Sequence, residues 1–397
     1  MTTALPTDAL ERARVAVAVT FGLNGLVFAS WVSRLPAVRA ALGLSTTQLG
    51  LLLLCLSAGS VFGLPSSGPL VARLGPPRTV LLASSTVGTG LLLVSLGVGT
   101  RTVPLTAAGL VCVGLAVGVW DVAMNVEGAD VERRLGRDLM PRLHAGFSLG
   151  TVAGAGIGAA AAAVGVDVAL QLAVTALVAV AGVACCVRLY LPAVPHDADA
   201  PVAVLARHAW REPRTLLLGL TVLCFAFTEG TANEWLAVAL VDGHRTSEAV
   251  GALGFACFVV AMTGARTLGT VLLARHGRTP VLRGTAVVAA VGVVLVVTAP
   301  ALPVVLVGAL LWGVGASLGF PVGMSAAADD PHSAAVRVSV VSSIGYTAFL
   351  AGPPLIGLLA EPERLGVLHA LLVVLAALAV GATAARAAAP VAQTSGS

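Results

Sequence analysis

Apolar runs of about twenty residues, each long enough to cross a bilayer as a helix, follow one another along almost the whole chain. They lie near 14–34, 47–68, 79–99, 104–126, 143–164, 167–189, 215–240, 249–273, 281–299, 303–327, 337–359 and 365–386. The breaks between them are short and rich in Arg, Gly and Pro. In hydrocarbon the backbone must satisfy its own hydrogen bonds, and a helix does so within a single segment. The pattern therefore predicts an all-α membrane protein of twelve transmembrane helices. No polar, amphipathic helices remain to cover a soluble core.

Composition agrees, with 57% hydrophobic and 11% charged residues and a mean hydropathy of +0.97. A soluble domain carries about a quarter charged residues. The chain has no Lys, so every basic side chain is Arg or His. With both ends on one side, alternate loops hold Arg12, Arg14, Arg73, Arg78, Arg133, Arg134, Arg137, Arg142, Arg188, Arg207, Arg211, Arg214, Arg275, Arg278, Arg283, Arg337 and Arg386. The opposite loops hold Arg39, Arg101, Arg245 and Arg364. This asymmetry predicts cytoplasmic termini, and the absence of Lys with abundant Ala, Val, Gly and Arg suggests a GC-rich bacterial genome and so a bacterial inner membrane. The formal charge of +4 is then topological and gives no reason to expect nucleic acid. The six cysteines fall inside predicted spans without metal-ligand spacing and read as small packing residues. No nucleophile–base set, phosphate loop or metal cluster points to an enzyme or to a cofactor.

Two echoes divide the chain. Leu70-Val71-Ala72-Arg73-Leu74-Gly75 returns as Leu272-Leu273-Ala274-Arg275-His276-Gly277. Arg142, Ser148 and Gly150 return, at equal spacing, as Arg337, Ser343 and Gly345. The repeat predicts two pseudo-symmetric six-helix halves, 1–190 and 215–397, joined by a polar cytoplasmic linker over 191–214 that contains His196. No other loop is long enough to hold a soluble domain.

Gly68-Pro69-Leu70-Val71-Ala72-Arg73-Leu74-Gly75 resembles the loop signature of the major facilitator superfamily, with Ala72 and Ala274 where that signature has Asp. In the superfamily this Asp helps to latch the halves, so the resemblance implies a latch built from other groups here. It also implies a gating role for Arg73, Gly75, Arg78, Arg275 and Gly277. Ser30-Trp31-Val32-Ser33-Arg34-Leu35-Pro36, Asp121-Val122-Ala123-Met124-Asn125 and Gly352-Pro353-Pro354 resemble the MosC/YbjJ-type subgroup over nearly the whole chain. The Asp121–Asn125 segment is also similar to one in fucose-permease-type sugar–proton symporters.

Ionisable groups inside spans are costly, about 2.5–3.5 kcal/mol each at a helix centre, and mark candidate chemistry. Asp121 and Asn125 share one face of the fourth span, as Glu229 and Asn233 do in the seventh. Asp121 and Glu229 are the candidate proton-coupling acids. Asn24, Asp121, Asn125, His144, Glu229, Asn233 and Tyr346 are the candidate solute-binding set. A helix-gluing pair is the alternative for Asp121, and an ion pair with Arg266 is the alternative for Glu229. Glu127 is expected near the membrane edge. Trp31 and Arg34 read as an interfacial anchor and a snorkelling cation.

Gly146, Gly150, Gly154 and Gly158 make a small-residue stripe on the fifth span, and Cys257, Ala261, Ala265 and Gly269 make one on the eighth. In the superfamily these two helices face each other, which implies a sliding contact; packing within one half is the alternative. Pro353-Pro354 is expected to interrupt the hydrogen-bond ladder of the eleventh helix and favour a bend. The expected function is proton-coupled uptake of a small polar solute, such as a sugar or polyol derivative, by a monomer in the lipid bilayer. Proton-coupled efflux of a drug-like or metabolic compound is the alternative, and a solute sensor without transport is a third reading.

Overall fold

The structure, a computed structural model, describes residues 7–136, 139–191, 209–329 and 334–389. Arg137, Arg207, His196 and most of the expected linker lie outside the described residues. Among those described, the elements are helical, and twelve helices are long and apolar enough to cross a membrane. Spans 1 to 6 are Asp8–Val32, Thr46–Leu74, Pro76–Gly99, Val103–Leu135, Arg142–Ala163 and Val168–Leu189. Spans 7 to 12 are Pro213–Gly243, Glu248–His276, Arg278–Thr298, Leu302–Ala327, Arg337–Leu359 and Gly366–Ala388. At 1.5 Å per residue, even twenty residues reach about 30 Å.

Local chemistry starts and stops these helices. Ser45 and Gln48 form a reciprocal capping box at the head of span 2, and Asp167 accepts from the Ala169 and Leu170 amides to start span 6. Span 4 runs well past its apolar stretch, to a left-handed cap at Gly136. Span 11 runs as one helix, Ala334–Leu359, through Pro353-Pro354, whose missing amides leave gaps in its hydrogen-bond ladder. Span 10 is broken between Leu302–Ala316 and Gly319–Ala327, and span 12 between Gly366–Ala370 and Val373–Ala384.

The helices gather into two compact units. The first comprises Met1–Asp197 and the later segment Leu240–Ala256; the second comprises Ala198–Ala239 and Cys257–Ser397. Inside the first unit spans 3 and 4 meet at Gly90 and Gly109, where a Cβ on either would lie 2.6–2.7 Å from the other's carbonyl. Inside the second, spans 9 and 10 meet in the same way at Gly292 and Gly308, at 2.7–2.8 Å. The echoed loops also share a backbone: Gly75 has φ 75°, ψ 161° and Gly277 has φ 76°, ψ 170°. That region is open to glycine and closed to nearly everything else.

The glycine stripe of span 5 makes close contacts inside its own unit, the packing that the sequence left as the alternative. A Cβ on Gly150 would overlap the Gly22 carbonyl, and one on Gly154 would lie 2.5 Å from that of Leu26. Gly146 is less tight, at 3.2 Å from the Ala18 carbonyl. Gly146, Gly150 and Gly154 therefore bring span 5 against span 1 of its own unit. The stripe of span 8 likewise packs in its own unit, where Ala261 meets Gly313 of span 10 and Gly269 meets Leu318. Small-residue stripes serve close approach wherever they occur, and spacing alone does not say against which helix.

Candidate solute and proton sites

Polar side chains collect in one cluster in each unit. In the first, Asp121 is exposed on span 4, and the Asn125 amide donates to its backbone oxygen at 2.8 Å and its carboxylate at 3.3 Å. One helical turn separates the two residues, so the bond follows from their spacing. His144 of span 5 is near enough to Asp121 to interact with its charge, and its ring stands edge-on to Phe21 at 5.3 Å. Asn24 of span 1 is buried, and its amide nitrogen makes no hydrogen bond among the described residues. An unpaired buried amide costs about 1–3 kcal/mol, a cost a bound hydroxyl or carboxylate would remove.

The second cluster centres on an ion pair. Arg266 Nη2 donates to both carboxylate oxygens of Glu229, at 3.0 and 2.8 Å. Its Nε donates to the Ser317 carbonyl at 3.0 Å, at the break in span 10. The break is itself tightly determined, because a side chain at Gly319 would run into the Phe225 ring. Asn233, one turn beyond Glu229, is buried with its Oδ1 unpaired among the described residues. Tyr346 of span 11 is 47% exposed and stands between Phe320 and Phe349, with ring centroids 6.2 and 6.3 Å away.

The structure thus brings Asp121, Asn125 and His144 together, and separately Glu229 and Arg266, with Asn233 on the same helix as Glu229. The Glu229–Arg266 pair is the alternative that the sequence left open. Glu127 and Arg34 are both buried, and for Arg34 this departs from expectation. Glu127 is only 2% exposed and accepts a hydrogen bond from the Leu191 amide at 2.7 Å, because span 4 continues past it. Arg34 is 3% exposed instead of snorkelling. Its guanidinium donates to Gln171 and to the Val166 carbonyl, both at 2.9 Å, and lies 3.6 Å from Glu248. Burial pulls Arg34 below its ordinary value, against the opposing pull of Glu248 and Asp167. Nearby, Arg39 pairs with Asp242.

Arg73 and Arg275, in the last turns of spans 2 and 8, and Arg78, in the first turn of span 3, are exposed. With Ala274 in place of an acid, Asp329 holds the second unit's loop instead, bonding Arg278 at 2.7 and 2.9 Å and Arg214 at 2.8 Å. At the head of span 7, Glu212 takes two 2.7 Å bonds from Arg337. Burial works to raise this carboxyl, but the Thr215 hydroxyl, Arg337 and Arg214 outweigh it and hold Glu212 below the usual range.

Residues 17–353 match the Major Facilitator Superfamily. The chain belongs to that superfamily. This major facilitator protein is 31% identical to an uncharacterised transporter of the same type from Yersinia pestis, over 89% of this chain and 90% of that one. It is 28% identical to the membrane protein MosC of Rhizobium meliloti, over 91% of this chain and 86% of MosC. Its fold is similar to that of the nucleoside transporter NupG, with TM-score 0.76 and 15% identity over 95% and 98% of the two chains. It is also similar to the E. coli fucose:proton symporter FucP, with TM-score 0.65 and 16% identity over 95% and 98%. The major facilitator fold and the twelve apolar helices make it a multi-pass membrane transporter and not an enzyme.

Proposed function

We propose that this transporter takes up a small polar solute of the sugar or polyol-derivative class together with protons. It would do so as a monomer, by alternating access across the bacterial inner membrane, with both termini cytoplasmic. The observation that carries the reading is Asp121, a carboxylate exposed within a membrane span, bonded to Asn125 and within electrostatic reach of His144. An acid kept only for packing would be expected to be covered. The echoed span 10 has no acid in its apolar part, so the group belongs to one half alone. FucP is described as a fucose:proton symporter and another structural neighbour as a D-xylose–proton symporter, which favours sugar-like cargo and coupling to protons. Asn24, with its unpaired amide, is a second solute contact.

Asp121→Asn keeps size and hydrogen bonding and removes the titration. In proteoliposomes with a pH gradient, the variant should fail to accumulate a solute that the wild type concentrates, while solute exchange persists. Normal accumulation by Asp121→Asn would overturn the coupling role.

A further inference from the structure

Arg266 is an expensive residue in its place, and its hydrogen bonds are distributed unevenly. A structural Arg–carboxylate pair commonly uses two nitrogens in parallel against two oxygens. Here Glu229 straddles Nη2 alone, Nε is taken by the Ser317 carbonyl, and Nη1 has no hydrogen-bond partner among the described residues. The guanidinium side chain is 33% exposed and the Glu229 side chain 16%. Its orientation does not depend on Glu229, because the carbonyl freed at the break in span 10 holds the Nε side. The fork formed by Nη1 and Nη2 therefore keeps its aim when Glu229 lets go. Asn233 adds an unpaired acceptor one turn along the same helix.

We infer that Arg266 is the recognition group for a carboxylate on the solute, and that Glu229 is the counter-ion this carboxylate replaces. The inference rests on the transport reading above and narrows its cargo to sugar acids or similar polyhydroxylated carboxylates. Two carboxylates cannot both hold one guanidinium cheaply, so the exchange requires Glu229 to be neutral. One proton passes to Glu229, its ion pair with Arg266 is broken, and the solute carboxylate forms the replacement pair. A hydroxyl of the solute then donates to Asn233 Oδ1. Glu234 on the same helix and Tyr346 of span 11 are the other ionisable oxygen acids in the apolar parts of the surrounding spans of this unit. Cys224 and Cys257 are its thiols there, and span 10 supplies no ionisable group. Charges at the span ends include Arg337 paired with Glu212, Arg278 and Arg214 paired with Asp329, and Arg275, Arg283, Arg364 and Arg386.

The test uses the purified full-length protein and four probes in matched pairs, D-gluconate with D-glucitol and D-glucuronate with D-glucose. Binding is read by thermal shift and tryptophan fluorescence at pH 6 and pH 8. The acids should bind and their neutral partners should not, and the acids should bind at least about tenfold more tightly at pH 6. Glu229→Gln should abolish the pH difference. Arg266→Gln should weaken acid binding by at least about tenfold. If that single variant fails to fold, the double variant Glu229→Gln with Arg266→Gln restores a neutral pair and should fold without binding acids. Equal binding of neutral partners, acid binding retained by the double variant, or no binding of either acid at either pH would each overturn the inference. A neutral solute accumulated through Asp121 would leave the transport reading standing and this one fallen. Acid binding without flux in proteoliposomes would do the reverse.

Discussion

Glycines on span 5 provide a graded test of how the first unit is packed. Gly150 lies so close to the Gly22 carbonyl of span 1 that a Cβ cannot be placed without moving backbone. Gly146 leaves 3.2 Å to the Ala18 carbonyl, and Gly156, on the same helix, has nothing within 4 Å. Replacing glycine by alanine in a helix gains about 1 kcal/mol of propensity at each position. At Gly156 that gain is unopposed. Overpacking costs about 1–3 kcal/mol, and the overlap is with main chain that cannot rotate away, so Gly150 belongs at the upper end. The expected order of stability is therefore Gly156→Ala at or above wild type, Gly146→Ala close to it, and Gly150→Ala about 1–2 kcal/mol below it. Gly150→Leu should fall further and lower the yield of folded protein. Thermal melting of the purified variants in detergent, with size-exclusion profiles, measures the series. If Gly150→Ala melts with Gly156→Ala, span 5 does not lie against span 1 as described. If Gly150→Leu folds normally and only transport is lost, the stripe serves a moving contact instead.

Gly75→Ala and Gly277→Ala should each cost about 1–3 kcal/mol, because both impose a side chain on a backbone conformation that excludes one; unchanged melting of either would contradict the conformation. Glu212→Gln should lower stability at neutral pH by no more than about 1 kcal/mol, since the pair is partly solvated. Glu212 has a folded pKa below its unfolded one, so its contribution is present above the ordinary carboxylate range and is lost as pH falls through the folded value. The gap in melting temperature between wild type and Glu212→Gln should accordingly close in acid, and a gap that widens there would refute the ion-pair assignment.

Much of the architecture is legible from hydropathy because a bilayer imposes one length and one secondary structure on anything that crosses it. The two echoed loops were legible for a related reason, since an Arg followed by a Gly of special conformation leaves a recognisable spacing. Asp121 with Asn125 could be paired from helical periodicity alone. The burial of Glu127 and Arg34 was not legible, because apolar length reports where hydrocarbon is crossed and not where a helix ends. Span 4 continues nine residues beyond the predicted 126 to Leu135 and carries Glu127 into packed surroundings. Arg34 is buried by partners 132 and 137 residues away, Val166 and Gln171, which no local pattern announces. The partner of the span 5 stripe was hidden for the same reason. Its spacing specifies a smooth surface, and the identity of the opposing helix is a property of the folded chain.

The crossings at Gly90 with Gly109 and at Gly292 with Gly308 bear on how such a chain can change over generations. A position where main chain touches main chain admits one residue, so each of these four glycines is pinned by the backbone opposite it. Elsewhere side chains are free to differ, and here the first unit holds a carboxylate at Asp121 while the second holds the Glu229–Arg266 pair. Fixing each unit at a few contacts without side chains leaves the polar chemistry around them free to change without disturbing the helices that carry it.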